Sequence, residues 1–240
     1  MTYNELKPNL IITRPVDSAN LFASFFERNL QKEQIIISPA IEIKFFSRPK
    51  ILKKTTNLIF TSSNGVKAAG QAVNNNIRAI CVGDRTTSLA SSLGYSAEKY
   101  GDNVEQLIKK LCLSKKIEGD ILHIRGKYTK VDLMNRLRKA GFLCHEWEGY
   151  DQIAKNLSFE ALNAFKNGQK IILPIFSERS GRLLKDQIPN FDKCHIIAIS
   201  SAVANVFLDV SPASISEAQT PDLVGMRSST KTVLENAHLE

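Results

Sequence analysis

Short apolar runs alternate along the chain with stretches in which apolar residues recur every three or four positions. The runs predict strands near residues 9–14, 34–38, 57–61, 79–83 and 96–98, and a second set near 120–125, 143–146, 170–176, 195–199 and 213–217. The periodic stretches predict helices between them. These run from Asp17 to Leu30 (capped by Asp17 or Ser18), Asn64 to Val73, Thr86 to Leu93, Asn103 to Leu113 and Lys130 to Ala140. Four more run from Ser158 to Phe165, Ser180 to Gln187, Ser201 to Leu208 and Pro221 to Ala237. Strand and helix taking turns predict an α/β protein with parallel sheets covered on both faces.

The second half of the pattern echoes the first. Leu10-Ile11-Ile12-Thr13-Arg14 matches Ile121-Leu122-His123-Ile124-Arg125, both apolar strands closed by an arginine. Asn57 to Val66 breaks from an apolar run into Thr61-Ser62-Ser63, and Ile171 to Gly181 breaks into Ser177-Glu178-Arg179-Ser180. Ala79 to Ala90 matches Ile196 to Ala204, and Tyr100-Gly101-Asp102-Asn103 recurs as Gln219-Thr220-Pro221-Asp222. Partners lie about half a chain apart, which is an internal duplication of one α/β half. Two segments misfit the alternation, Pro39 to Phe46 and Glu146 to Ile153, and both read as extended crossings. Paired antiparallel, they would link two domains: 1–38 plus 154–240, and 47–145, with 39–46 and 146–153 as linkers. A ligand is expected in the crevice between the domains.

Bulk properties narrow the classes. The chain has 240 residues, 43% hydrophobic and 23% charged, enough for a sizeable core. No apolar stretch nears the roughly 20 residues that span a bilayer, and the first residues lack a signal-peptide layout, so a cytoplasmic protein is expected. Leu239-Glu240 reads as a cloning scar. Cys81, Cys112, Cys144 and Cys194 form no Cys-x-x-Cys pair and read as reduced. His123, His145, His195 and His238 lack ligand spacing, so no metal is expected. The net charge of +8 is scattered over Lys50, Lys53, Lys54, Lys109, Lys110, Lys115, Lys116, Arg136, Arg138 and Lys139. A nucleic-acid reader would concentrate it on one element. Arg14, Arg125 and Arg179, at strand ends, are better placed to meet carboxylates, and a basic field would steer a polyanion inward.

The chain has no Gly-x-Gly-x-x-Gly, no Gly-x-x-x-x-Gly-Lys-Ser/Thr and no Gly-x-Ser-x-Gly. Dinucleotide, nucleoside-triphosphate and serine-hydrolase readings therefore lack support. The hydroxyls at the strand ends read as an anion cradle, with helix capping as the plainer alternative for each.

Taken in order, Ile12-Thr13-Arg14-Pro15, Pro39, Phe60 to Val66, Val82-Gly83-Asp84-Arg85-Thr86, Arg125-Gly126, Tyr150, Phe176-Ser177 and Ala218 with Pro221 resemble the uroporphyrinogen-III synthase family over essentially the whole chain. The resemblance implies two flavodoxin-like domains joined by a two-stranded antiparallel linker. It implies a cofactor-free cyclising lyase of tetrapyrrole (haem) biosynthesis. Its family converts linear hydroxymethylbilane, an octacarboxylate, to uroporphyrinogen III with inversion of ring D and loss of water. Tyr150 is expected to assist departure of the hydroxyl. Arg14, Thr61, Ser62, Ser63, Gly83, Thr86, Arg125, Gly126, Ser177, Arg179, Ser200 and Ser201 are expected to bind substrate. Ser200-Ser201 departs from the family, which often has Gly and Thr there. A monomer without nucleic-acid or membrane partners is expected. The alternative is a two-domain binding protein for a small polyanion, without catalysis.

Overall fold

A computed structural model describes residues 8–28, 30–49, 55–74, 76–114, 117–129 and 131–237. The expectations that fell on Met1 to Lys7, Lys50, Lys53, Lys54, Lys115, Lys116, Lys130, His238 and Leu239-Glu240 lie outside those residues. The elements begin with β1 (Asn9–Ile12), α1 (Val16–Ala23), β2 (Ile35–Ile37), β3 (Ile41–Phe45), β4 (Asn57–Phe60) and α2 (Ser63–Ala69). They continue with β5 (Arg78–Cys81), α3 (Asp84–Ser92), β6 (Ser96–Lys99), α4 (Val104–Ser114), β7 (Ile121–Gly126), α5 (Leu133–Lys139) and β8 (Cys144–Ala154). The last are α6 (Phe159–Lys166), β9 (Ile171–Ile175), α7 (Glu178–Lys185), β10 (Cys194–Ala198), α8 (Ser201–Ala204), β11 (Ser214–Glu217) and α9 (Leu223–Ala237).

The chain divides into two units, Met1–Glu42 with Ala154–Glu240, and Ile43–Ile153. The first unit's sheet has the order β11-β10-β9-β1-β2, every pair parallel. The second has the order β3-β8-β7-β4-β5-β6, and β4 to β8 pair in parallel. Beside them β3 runs antiparallel to β8. The Phe46 N–H bonds the Gly149 carbonyl at 2.9 Å, and the Lys155 N–H bonds that of Ala40 at 2.9 Å, so one strand advances as the other retreats.

Strand for strand, β8-β7-β4-β5-β6 repeats β2-β1-β9-β10-β11. Segments that match in sequence, β1 with β7 and β4 with β9, thus hold matching places. Each sheet reverses its strand order once, at β1–β9 and at β7–β4. Open α/β sheets bind ligands at such a reversal, beyond the strands' carboxyl ends.

Burial explains why these runs are strands. In the first sheet Ile11, Ile171, Leu173, Ile175, Ile196 and Ala198 face one way, onto α6, α7 and α8. Leu10, Ile12, Ile172 and Ile197 face the other, onto α1 and α9. The second sheet does the same, with Leu58, Phe60, Cys81, Leu122 and Ile124 toward α2 and α3, and Ile59, Ile80 and Ile121 toward α4 and α5. A strand covered on both faces has no polar side, hence the continuous apolar runs. The outermost β6 and β11, Ser96–Lys99 and Ser214–Glu217, are only partly covered and correspondingly polar.

Pro174 stands in β9, which lies between β10 and β1. The Ile171 N–H and the Ile175 carbonyl both bond toward β10, so the alternate residue 174 faces β1. The missing N–H falls there, and the β1–β9 ladder pairs only Asn9 with Ile171 and Leu10 with Ile172. The reversal in this sheet is therefore loosened just below Arg14 and Phe176.

Several expected boundaries are corrected. The helix expected over 17–30 ends at Ala23. Its N-cap is Pro15, not Asp17 or Ser18, and it has no side-chain cap because the proline ring carries no acceptor oxygen. Beyond Ala23 the chain tightens into i+3 bonds, Phe26 N–H to the Ala23 carbonyl at 2.8 Å, which keeps Phe26 buried. The strand expected at 143–146 and the crossing at 146–153 are one strand, β8. The last short helix stops at Ala204 and continues as a 3₁₀ turn over Asn205–Phe207.

Candidate active site

In the second unit the reversal point is built by β4, β7 and β8. The N–H of Gly65 donates to Ser62 Oγ at 3.3 Å, so Ser62 caps α2. The same oxygen lies 3.0 Å from the hydroxyl of Tyr150. Tyr150 reaches it because β8 carries a bulge. Arg125 pairs with Glu148, but Gly126 pairs with Tyr150, which leaves Gly149 as the extra residue. Trp147 and Tyr150 are three apart and would otherwise point to opposite faces; both pack into the cluster around Phe60 and Ile124. The ring lies against Gly126, where a Cβ would stand 2.7 Å from its edge. Phe45 meets it edge-on at 6.4 Å between centroids. Tyr150 is 7% exposed.

Gly126→Ala should push this ring off its seat, since β7 backbone and phenol cannot both stay. We expect a loss of about 1–3 kcal/mol, as for other overpacked sites, together with lost activity. Chemical denaturation and a product assay check it, and a parent-like variant would show that the ring has room.

The neighbouring hydroxyl, Thr61 Oγ1, lies 3.3 Å from His123 Nε2. His123 stands on β7, and its pKa is pushed down to about 4, first by burial and then by the Arg125 charge, against an opposing pull from Glu146. Its imidazole is neutral at physiological pH, so it offers no positive charge to a carboxylate. The sequence placed His123 inside a strand but carried no sign of Thr61 as its partner.

Arg125 does not stand open to solvent. Its guanidinium bonds Glu146 and Glu148, each at 3.0 Å, and the carbonyls of Gly126 and Lys127 at 3.0 and 3.3 Å. The two glutamates hold its pKa above the usual arginine value. To hold a substrate carboxylate Arg125 would have to exchange partners, so the expectation of an available cation here is weakened. Ser63 opens α2. Gly83 caps α3 at φ 76°, a conformation that favours glycine. Thr86 is buried in the first turn of α3.

The first unit has the same plan. Arg14 follows β1, and its guanidinium carbon sits 3.9 Å from the centroid of the Phe176 ring just after β9, a cation–π stack that fixes its direction. Ser177 caps α7, accepting from the Ser180 N–H at 3.1 Å and lying 2.7 Å from Ser180 Oγ. Arg179 is half-buried in the same turn. Ser200 takes the cap position of α8 without a side-chain cap bond, and Ser201 is exposed at its first position. The structure thus groups Thr61, Ser62, Ser63, Gly83, Thr86, Arg125, Gly126 and Tyr150 on one carboxyl edge. Arg14, Ser177, Arg179, Ser200 and Ser201 share the other.

All four cysteines are free, with Cys81 and Cys194 pushed up to about 11 and about 12, chiefly by burial. Among the described residues no His, Cys, Asp and Glu cluster could hold a metal, and no helix is long and apolar enough to cross a membrane.

Parallel-dominated open sheets flanked by helices, each with one reversal of strand order, define an α/β protein of the open-sheet class. The family model for Uroporphyrinogen-III synthase HemD matches residues 28–226, and the chain belongs to that family. Its members cyclise hydroxymethylbilane to uroporphyrinogen III in porphyrin biosynthesis. The fold is similar to uroporphyrinogen-III synthetase from Helicobacter pylori, with TM-score 0.66 and 14% identity, covering 94% of this chain and 99% of that one. It is also similar to a mutant uroporphyrinogen III synthase from the extremely thermophilic bacterium Thermus thermophilus, with TM-score 0.53 and 12% identity, covering 95% and 99%. At these identities the likeness is one of fold. No curated protein matches the chain significantly.

Proposed function

We propose that this chain acts as a cyclising lyase of that family, with Tyr150 as the group that assists departure of the hydroxyl. The observation that carries the reading is the phenol of Tyr150, brought by the β8 bulge to 3.0 Å from Ser62 Oγ at the sheet's reversal point. The substrate's pyrroles are electron-rich, so protonating the departing hydroxyl suffices to release an electrophilic azafulvene. Attack by the already substituted carbon of ring D gives a spiro intermediate, which fragments and recloses to the inverted isomer. The protein's main task is to hold that carbon near the electrophile, which requires no strong nucleophile.

On this reading the hydroxyls and arginines at each carboxyl edge are carboxylate-binding groups. Thr61, Ser63, Gly83, Thr86, Gly126, Ser177, Ser200 and Ser201 supply hydroxyls and backbone N–H groups, and Arg14 and Arg179 supply charge, with Arg125 joining them only by exchanging its glutamate partners. The units are read as domains 1–38 plus 154–240 and 47–145, each flavodoxin-like, with 39–46 and 146–153 as linkers. The reading includes a cofactor-free monomer working in the cytoplasm.

The test is to supply hydroxymethylbilane, oxidise the products and separate isomers I and III. Isomer III should form in proportion to protein, and its KM should rise with salt as screening weakens the arginine contacts. Isomer I alone, at the spontaneous rate, would overturn the reading. Tight binding of the substrate without conversion would point to a polyanion-binding protein.

A further inference from the structure

We propose that Ser62 is a positioning residue for Tyr150: its hydroxyl fixes the phenol and bonds the phenolic oxygen while the phenolic proton is transferred. This rests on the reading of Tyr150 as the proton donor, and it goes beyond the expectation that Ser62 holds a substrate carboxylate.

The geometry points to this role in three ways. Ser62 Oγ accepts the Gly65 N–H at 3.3 Å, so one of its lone pairs is used and its own proton is free to be donated. Its partner at 3.0 Å is the phenol oxygen. The phenol has little freedom to turn elsewhere, with its ring against Gly126, its edge by Phe45 and 7% exposure. In the step itself, the hydroxymethyl C–O bond breaks as the phenolic proton passes to the departing oxygen, which leaves as water. The phenolate then carries the negative charge, and Ser62 O–H donates to it. After closure, the proton shed as the macrocycle regains its pyrrole rings returns to the phenolate. Nothing is oxidised or reduced, and the sum is substrate to product plus water.

The same hydroxyl caps α2, so the test must separate the two roles. Ser62→Gly removes the hydroxyl yet costs a cap only a few tenths of a kcal/mol, and Ser62→Thr keeps both functions. The full chain would be assayed as parent, Ser62→Gly, Ser62→Ala, Ser62→Thr, Tyr150→Phe and Ser62→Gly with Tyr150→Phe. Rates of isomer III formation would be read beside the ¹³Cζ resonance of Tyr150, assigned by its loss in Tyr150→Phe.

Ser62→Gly should lower kcat about tenfold with KM little changed, a part of what a positioned acid supplies, and should shift the ¹³Cζ resonance. Ser62→Thr should restore both. In the Tyr150→Phe background Ser62→Gly should have almost no further effect. A rise in KM with unchanged kcat would make Ser62 a carboxylate ligand and overturn the proposal. Multiplicative losses in the double variant, or an unmoved resonance, would overturn it too. Should Tyr150→Phe run at the parental rate, the reading of Tyr150 fails and the proposal with it. If the parent makes no isomer III, the family activity itself is what fails.

Discussion

Tyr150→Phe should slow formation of isomer III about 10²-fold while leaving the fold intact. A positioned general acid supplies about 10²–10⁴-fold, and the low end applies because the substrate sheds its hydroxyl readily. The variant keeps the ring, and with it the packing against Gly126, Phe45 and the cluster around Phe60. It loses one hydrogen bond, to Ser62, worth about 1 kcal/mol net. Ser62 still caps α2 through the Gly65 N–H. The melting temperature should therefore move by a few degrees at most, and the share of isomer I should rise because uncatalysed closure competes. A parental rate would reassign Tyr150 to packing and leave catalysis to substrate folding alone.

Most of the strand order's raw material was legible in the sequence. Short, continuous apolar runs such as Leu58 to Phe60 and Ile171 to Ile175, with isoleucine in each and polar residues close on either side, read as strands covered on both faces. The duplication also announced which strands would hold matching places. What the sequence hid was register. Arg125 reads as a free cation until parallel pairing sets it opposite Glu148 and beside Glu146. Thr61 and His123 meet only because β4 and β7 are neighbours in the sheet, with Ile59 level with His123. Parity alone would send Tyr150 away from Trp147, and only the extra residue at Gly149 brings both onto one face. Spacing shows which residues share a strand. It does not show where a bulge will fall, because that depends on what the neighbouring strand can accept, here Gly126 under the phenol ring.

The helix ends failed for a related reason. Leu21, Phe25, Phe26 and Leu30 keep a three-and-four spacing that extends beyond Ala23. Yet Leu21 and Phe25 are each 43% exposed, while Phe22 and Phe26 carry the core contacts. The periodicity was real, but it followed a chain that had already tightened out of the α-helix.

His123 should make the second unit lose stability as pH falls from about 6.5 to about 4. Burial is the first cause of its depressed pKa, and the chain has placed it 4% exposed inside β7 with Thr61 as its ring partner. Between its ordinary pKa of 6.5 and its folded value of about 4, the unfolded chain binds a proton that the folded chain does not. Stability is therefore fully present above pH 6.5, falls through that window by about 1.4 kcal/mol per unit at most, and levels off below it. The sum approaches about 3 kcal/mol, large against the stability of a domain. His123→Gln keeps an amide within reach of Thr61 and carries no titrating group, so its unfolding midpoint in denaturant should fall much less between pH 7 and pH 4.5. Carboxylates such as Glu98, Glu105 and Glu146, whose pKa values are held low by basic partners, titrate in both proteins, so most of their effect cancels in the difference. Equal losses in the two proteins would mean that His123 takes up its proton in the folded state. The edge between β4 and β7 would then carry a positive charge that a substrate carboxylate could use.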